Sequence, residues 1–145
     1  MYKHILIPTD GSELSAKAIK QGVAFAKAIN AEVTAITVSE TFHTFSLNPV
    51  MVTDTSEQYQ KDCNARAEKY LSVAKNAAQS ANIPYDGIHV IHDHPYEAII
   101  AAAQENGCDL IFMASHGRKG MSAIVLGSET VKVLTHSKIP TLVCR

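Results

Sequence analysis

"DLIFMASHGRKGMSAIVLGSETVKVLTHS", residues 109–137, contains one complete unit of the fold. "DLIFMA" (109–114) is a short apolar run with the length of a strand. "SETVKVLTHS" (128–137) has the spacing of a short helix. Between them lies a window carrying Gly117, Gly120 and Gly127, the hydroxyls of Ser115 and Ser128, His116, and the cations Arg118 and Lys119. The unit therefore reads strand, polar glycine loop, helix.

The same alternation extends outward in both directions. "HILIP" (4–8) is a continuous β-rich run, as expected of a strand covered on both faces. "SELSAKAIKQGVAFAKAIN" (12–30) places Leu14, Ala18, Val23, Ala26 and Ile29 at helical spacing, with Ser12 as N-cap and Asn30 as stop. "EVTAITV" (32–38) is the second strand. Residues 39–54 fit neither period but carry Phe42, Phe45, Leu47, Val50, Met51 and Val52, so they form a long apolar loop rather than a polar linker. Residues 55–82 read as a long helix with a stripe of Tyr59, Cys63, Ala67, Tyr70, Ala74 and Ala77. "GIHVIH" (87–92) is the third strand. Pro95 opens the next helix, with Asn106-Gly107 at its end. "PTLVCR" (140–145) is a final strand.

Strands alternating with helices imply parallel pairing and right-handed crossovers, hence a three-layer α/β/α sandwich. At 145 residues the chain is read as one domain, 1–145, long enough to bury roughly two-thirds of its unfolded surface. No internal repeat or low-complexity segment interrupts it.

Composition narrows the function classes. Lys and Arg number 13 against 14 Asp and Glu, so no global field favours nucleic acid or an acidic membrane. There is also no aromatic-basic face of the kind that reads nucleic acid. No apolar stretch reaches about 18 residues, and no signal-peptide pattern opens the chain. A cytoplasmic protein is the expectation. Cys63, Cys108 and Cys144 are widely spaced and form neither a disulfide framework nor a zinc pattern. Cys108 and Cys144 lie in or beside apolar runs and read as core thiols. His92, Asp93 and His94 straddle a strand end and a helix start, so capping of the helix by Asp93 or His94 is a better account than a metal site.

In an open parallel sheet, ligands bind beyond the carboxyl ends of the strands, where the chain order reverses. Two strand ends carry suitable residues. The first closes in "PTDGS", with Thr9 and Asp10 at its tip, and the fourth opens into the glycine loop. Gly117 and Gly120, without a Cβ, let backbone N–H groups approach a ligand and are expected to adopt positive φ. Gly127-Ser128 stands at a helix start, whose free N–H groups and dipole attract an anion. Asp10 is suited to a ribose hydroxyl or a divalent cation, or to closing a turn at the first helix. Neither G-x-G-x-x-G nor the P-loop pattern is present.

On these residues the sequence resembles the universal stress proteins, many of which bind ATP through G-x2-G-x9-G-[ST]. Here the pattern runs Ala114, Ser115-His116, Gly117, nine residues, then Gly127-Ser128. Ala114 stands where the family has its first glycine, and the spacing is otherwise intact. Being the smallest residue with a Cβ, Ala114 is expected to be tolerated. The likeness also takes in "ILIPTDGSE" (5–13), "TAITV" (34–38) and "LGSETVKVLTHSKIPTLVCR" (126–145).

The resemblance implies a five-stranded parallel sheet in the order 3-2-1-4-5, of the adenine nucleotide alpha hydrolase-like kind. It implies ATP or another adenine nucleotide as ligand, with Mg2+ or Mn2+. Pro8, Thr9 and Asp10 would line the ribose side, and Val38 would meet adenine through its backbone. Met113 and Ala114 would floor the base and ribose. His116, Gly117, Arg118, Gly127, Ser128 and Glu129 would surround the phosphates. It further implies a homodimer through the last strand, with Thr141, Leu142, Val143 and Cys144 in the interface, and leaves protein partners open. The expected function is a nucleotide-dependent stress-response sensor or partner-binding module. A slow ATPase or phosphotransferase and a dimeric scaffold without nucleotide are the alternatives. The sequence shows no assigned general base and no P-loop lysine, which ranks binding above turnover.

Overall fold

A computed structural model of the chain describes residues 1–42, 55–118 and 125–145. Nine elements alternate: β1 (His4–Pro8), α1 (Glu13–Ile29), β2 (Glu32–Ser39), α2 (Ser56–Ala81), β3 (Tyr85–Ile91), α3 (Pro95–Glu105), β4 (Leu110–Ala114), α4 (Ser128–His136) and β5 (Thr141–Cys144). The strands form one parallel sheet in the order β3-β2-β1-β4-β5. The expected α/β architecture and the expected strand order are both present. The apolar loop expected over 39–54 is cut short at its start, because β2 runs on through Ser39. From residue 43 onward that loop lies outside the described residues, as do Lys119 and Gly120.

Local chemistry sets the helix ends. Ser12 caps α1 by accepting from the Ser15 amide at 3.1 Å, and Asn30 closes it in the left-handed region at φ 58°. Thr55 caps α2 through the Gln58 amide at 3.1 Å, and Asn82 closes it at φ 56°. Short polar side chains supply these caps because they replace the hydrogen bonds that a helix end lacks. β3 begins at Tyr85, two residues before the expected Gly87. Its edge position lets polar and small residues pair with β2 from Val33–Tyr85 onward, so the apolar run alone under-reads it. Gly87 sits beneath the Tyr85 side chain, whose hydroxyl donates to the Leu71 carbonyl of α2 at 3.0 Å.

Strand alternation divides the core into two layers. Ile5, Ile7, Val33, Ala35, Leu110, Phe112 and Ala114 pack with α1 and α2. Leu6, Ile36, Ile111 and Met113 pack with α3 and α4. Gly22 of α1 keeps the first layer close, since a Cβ there would stand 2.7 Å from Ile7 Cδ1. Cys63, Cys108 and Cys144 are all free and buried, as expected of the latter two. Burial, followed by the neighbouring Asp109 and Glu32 charges, pushes the Cys108 thiol up to about 12. Among the described residues, no helix is long and apolar enough to cross a membrane.

Candidate functional site

With β2 on one side of β1 and β4 on the other, the chain order reverses between the tips of β1 and β4. Thr9 and Asp10 leave β1 there, and Ser115 to Arg118 leave β4 opposite them. The two tips are clasped through Asp10. Its Oδ2 accepts the Arg118 backbone amide at 2.7 Å, and its Oδ1 accepts the Ser12 amide at 3.0 Å. One carboxylate thus closes the turn into α1 and holds the start of the glycine loop. The Ser12 and Ser15 side chains add hydroxyl contacts to the same carboxylate.

Burial pushes the Asp10 carboxyl up. The Ser12 side chain, the Arg118 amide, the Ser12 amide and the Ser15 side chain outweigh that effect, and the net shift is below the usual 3.8. The group is therefore a carboxylate at neutral pH.

Gly117 is a glycine because of this clasp. A Cβ on it would collide with Asp10 Oδ2. The expectation of positive φ at Gly117 is corrected: among the described residues the glycines with positive φ are Gly11 and Gly107. Close approach, not backbone handedness, excludes a side chain at Gly117. Gly11 combines both demands, with φ at 77° and the Tyr70 ring where its Cβ would be.

Gly127 returns the loop to the same place. Its amide donates to the Ser115 carbonyl at 2.7 Å, and a Cβ on it would lie 2.9 Å from His116 Cα. Gly127 is the N-cap of α4 and makes no side-chain cap bond, and Ser128 is the first helical residue. The first-turn amides of α4 therefore carry the positive end of its dipole without a capping side chain from Gly127.

The other expected site residues sort by distance from this clasp. Thr9 is buried, its hydroxyl paired with that of Ser15 at 3.1 Å, while its carbonyl accepts from Thr37 Oγ1 at 3.0 Å. Pro8 pairs with Ile36 at the end of β1. Val38 is half-buried near the end of β2, opposite Val90 and against the α3/α4 layer. Met113 belongs to that same layer. Ala114 turns the other way: its methyl group is part of the α1-side core, and its carbonyl accepts from Thr130 Oγ1 at 3.0 Å. The family's missing glycine is thus replaced by a methyl group buried in the core. His116 is half-buried, with Nδ1 3.1 Å from Ser115 Oγ.

Two of the residues expected around the phosphates have side-chain partners within the protein. The Arg118 guanidinium is directed to α2, where Nη1 donates to Tyr70 Oη at 3.0 Å and Cζ stands 5.9 Å from the ring centroid. Glu129 is engaged with α3: its Oε2 accepts the Tyr96 amide at 2.9 Å, and its Oε1 faces Lys132 Nζ at 3.3 Å. It caps a neighbouring helix, a role expected of Asp93 or His94. His94 occupies the N-cap of α3 but makes no side-chain cap bond, while Asp93 Oδ1 accepts from the Thr41 amide at 3.1 Å. Tyr70 was not anticipated as a site residue. Its place in the α2 stripe reads as core, and only the αL glycine at position 11 hints that something must pack there.

Among the described residues no group of three or more His, Cys, Asp or Glu side chains could hold a metal ion.

The family model described as "Universal stress protein family" matches residues 1–145. The chain belongs to the universal stress protein family. Universal stress protein MJ0577 of Methanocaldococcus jannaschii is similar to it at 28% identity over 158 residues, covering 100% of this chain and 96% of the relative. The solved structure of MJ0577 superposes with a TM-score of 0.81 at 30% identity, over 99% of this chain and 95% of that one. Two neighbours share the fold at lower identity. One is a universal stress protein solved in complex with cAMP (22% identity, TM-score 0.70, 99% of this chain and 97% of that one). The other is the Archaeoglobus fulgidus protein in complex with dAMP (14% identity, TM-score 0.69, 99% and 98%). Some structural neighbours within the universal stress proteins thus bind adenine nucleotides.

Proposed function

We propose that this universal stress protein binds ATP, or another adenine nucleotide, and acts as a nucleotide-dependent stress-response sensor or partner-binding module. One observation carries the reading. The Asp10 carboxylate clasps the tips of β1 and β4 at the point where the sheet order reverses, beside the start of α4 that Gly127 leaves without a side-chain cap. The charged carboxylate of Asp10 suits a ribose hydroxyl, or Mg2+ or Mn2+ carried on the phosphates, in exchange for one of its hydroxyl neighbours. The first-turn amides of α4 suit the phosphates themselves. The cAMP and dAMP complexes of neighbours with this fold support the choice of an adenine nucleotide.

Isothermal titration with ATP and Mg2+ tests it. The wild-type protein is expected to give saturable heat. Gly127→Val is expected to lose it, because the new side chain meets the His116 backbone. A wild-type protein with neither heat nor thermal shift overturns the reading.

The proposed module is a homodimer through β5. This strand is an edge of the sheet, and Leu142 on it is 37% exposed. Thr141, Leu142 and Val143 would offer side chains to the partner copy. Cys144 is buried in its own chain and would contribute backbone alone.

A further inference from the structure

A cavity of about 250 Å3 lies between α1 and α2, next to the clasp, with Arg118 common to both. We propose that it is a second binding site, taking a compact organic anion with an apolar body at this chain's α1–α2 seam. The cavity shares Thr9 and Arg118 with the proposed nucleotide site. Asp10, Gly127 and Ser128 do not line it.

Its apolar lining comes from Ala16 of α1 and from Val73 and the Tyr70 ring of α2, with Ile19 almost wholly covered beneath them. Its floor offers little to a polar ligand. The Ser15 hydroxyl donates to the Ser12 carbonyl at 2.9 Å and pairs with Thr9 Oγ1 at 3.1 Å, so these hydroxyls are spent within the protein. The charges it presents are cationic, Lys69 and Arg118, and no Asp or Glu lines it. Arg118 gives Nη1 to Tyr70 Oη, but a guanidinium has five N–H donors, and the others remain for a ligand. The cavity therefore accepts an apolar body against Ala16, Val73 and Tyr70, with a carboxylate or phosphate meeting Arg118 and Lys69. The volume falls just under the ~300–1,000 Å3 usual for small-molecule pockets, which sets the occupant at single-ring size.

The cavity and the clasp meet at one residue. The residue whose guanidinium faces this cavity is the one whose amide Asp10 holds.

The test is a backbone-amide NMR titration of the full chain with sodium benzoate and with phenyl phosphate, two sources of the same chemistry. Benzyl alcohol serves as the neutral comparison. One or both anions are expected to shift the Ser15, Ile19 and Val73 amides saturably. Benzyl alcohol is expected to bind about tenfold more weakly, the scale of one charge-assisted hydrogen bond. Lys69→Gln should weaken the anions by about the same factor. Val73 is 46% exposed, so Val73→Trp is expected to fold, fill the mouth and abolish anion binding, with ATP titration unchanged. Absence of saturable shifts, equal binding of benzyl alcohol, or benzoate binding retained by Val73→Trp overturns the proposal. So does loss of ATP binding in a folded Val73→Trp, which would make the cavity part of the nucleotide site. Failure of ATP to bind wild type would leave the anion titration standing by itself.

Discussion

Asp10 is where the chemistry and the stability of the site meet. Its two backbone bonds and two hydroxyl neighbours favour the charged form over the neutral one, despite burial. The folded pKa therefore lies below the unfolded one. The sign follows: the carboxylate's contribution is present in full above the unfolded value and is lost as pH falls through the folded value. Asp10→Asn is expected to be less stable than wild type at about pH 7, with the gap narrowing toward about pH 2. Urea denaturation across that range measures it, and a gap that stays constant or widens in acid would refute the assignment. Asp10 was legible from its place at the end of "ILIPTD", as was the need for glycine at position 117. The reason for that glycine was not, because the oxygen that fills its Cβ position comes from a residue 107 positions earlier.

At the level of elements, α3 and α4 are joined at their N-termini by Glu129. A carboxylate in the first turn of one helix satisfies an amide in the first turn of the other, and it lies near the positive ends of both dipoles. Glu129→Ala is expected to cost about 1 kcal/mol of stability, the usual worth of a helix cap, read by chemical denaturation. It should also leave ATP affinity unchanged or raise it, because it removes a negative charge near the proposed phosphate position. A large loss of ATP affinity with unaltered stability would restore Glu129 to the ligand. The sequence placed Glu129 beside Ser128 and so beside the phosphates. What it could not reveal is the packing of α3 against α4, which supplies the Tyr96 amide. Tyr70 shows the same limit. Helical spacing put it in the buried stripe of α2, and only the approach of α2 to Gly11 and Arg118 makes it part of the site's wall.

At the scale of the molecule, the sheet has two edges that are managed differently. On β3, Asp86 Oδ1 accepts the Gly87 amide at 2.8 Å, so a side chain occupies a backbone donor of that strand. On β5, Leu142 is exposed on the strand, and Val131 and Leu134 are exposed on the preceding α4. Unpaired backbone beside apolar side chains is a template for another strand. If β5 pairs as proposed, Leu142→Lys is expected to shift the protein from the proposed dimer to monomer, measured by sedimentation velocity, with far-UV dichroism unchanged. A wild-type protein that sediments as a monomer would sink the dimer itself.

The alternation of short apolar runs with helical periods, read along one chain, was enough to determine the α/β class, the parallel sheet and the identity of nearly every element. These depend on local spacing and on the handedness of crossovers. The candidate ligand residues were legible as well, since glycines and short polar residues gather at the carboxyl ends of β1 and β4. Tertiary structure alone decided which of those residues touch. It turned Ala114 into the core, turned Arg118 toward Tyr70, gave Glu129 to α3 and opened a cavity between α1 and α2. Each outcome depends on where a second element, distant in sequence, comes to rest, and no periodicity within a single element encodes that.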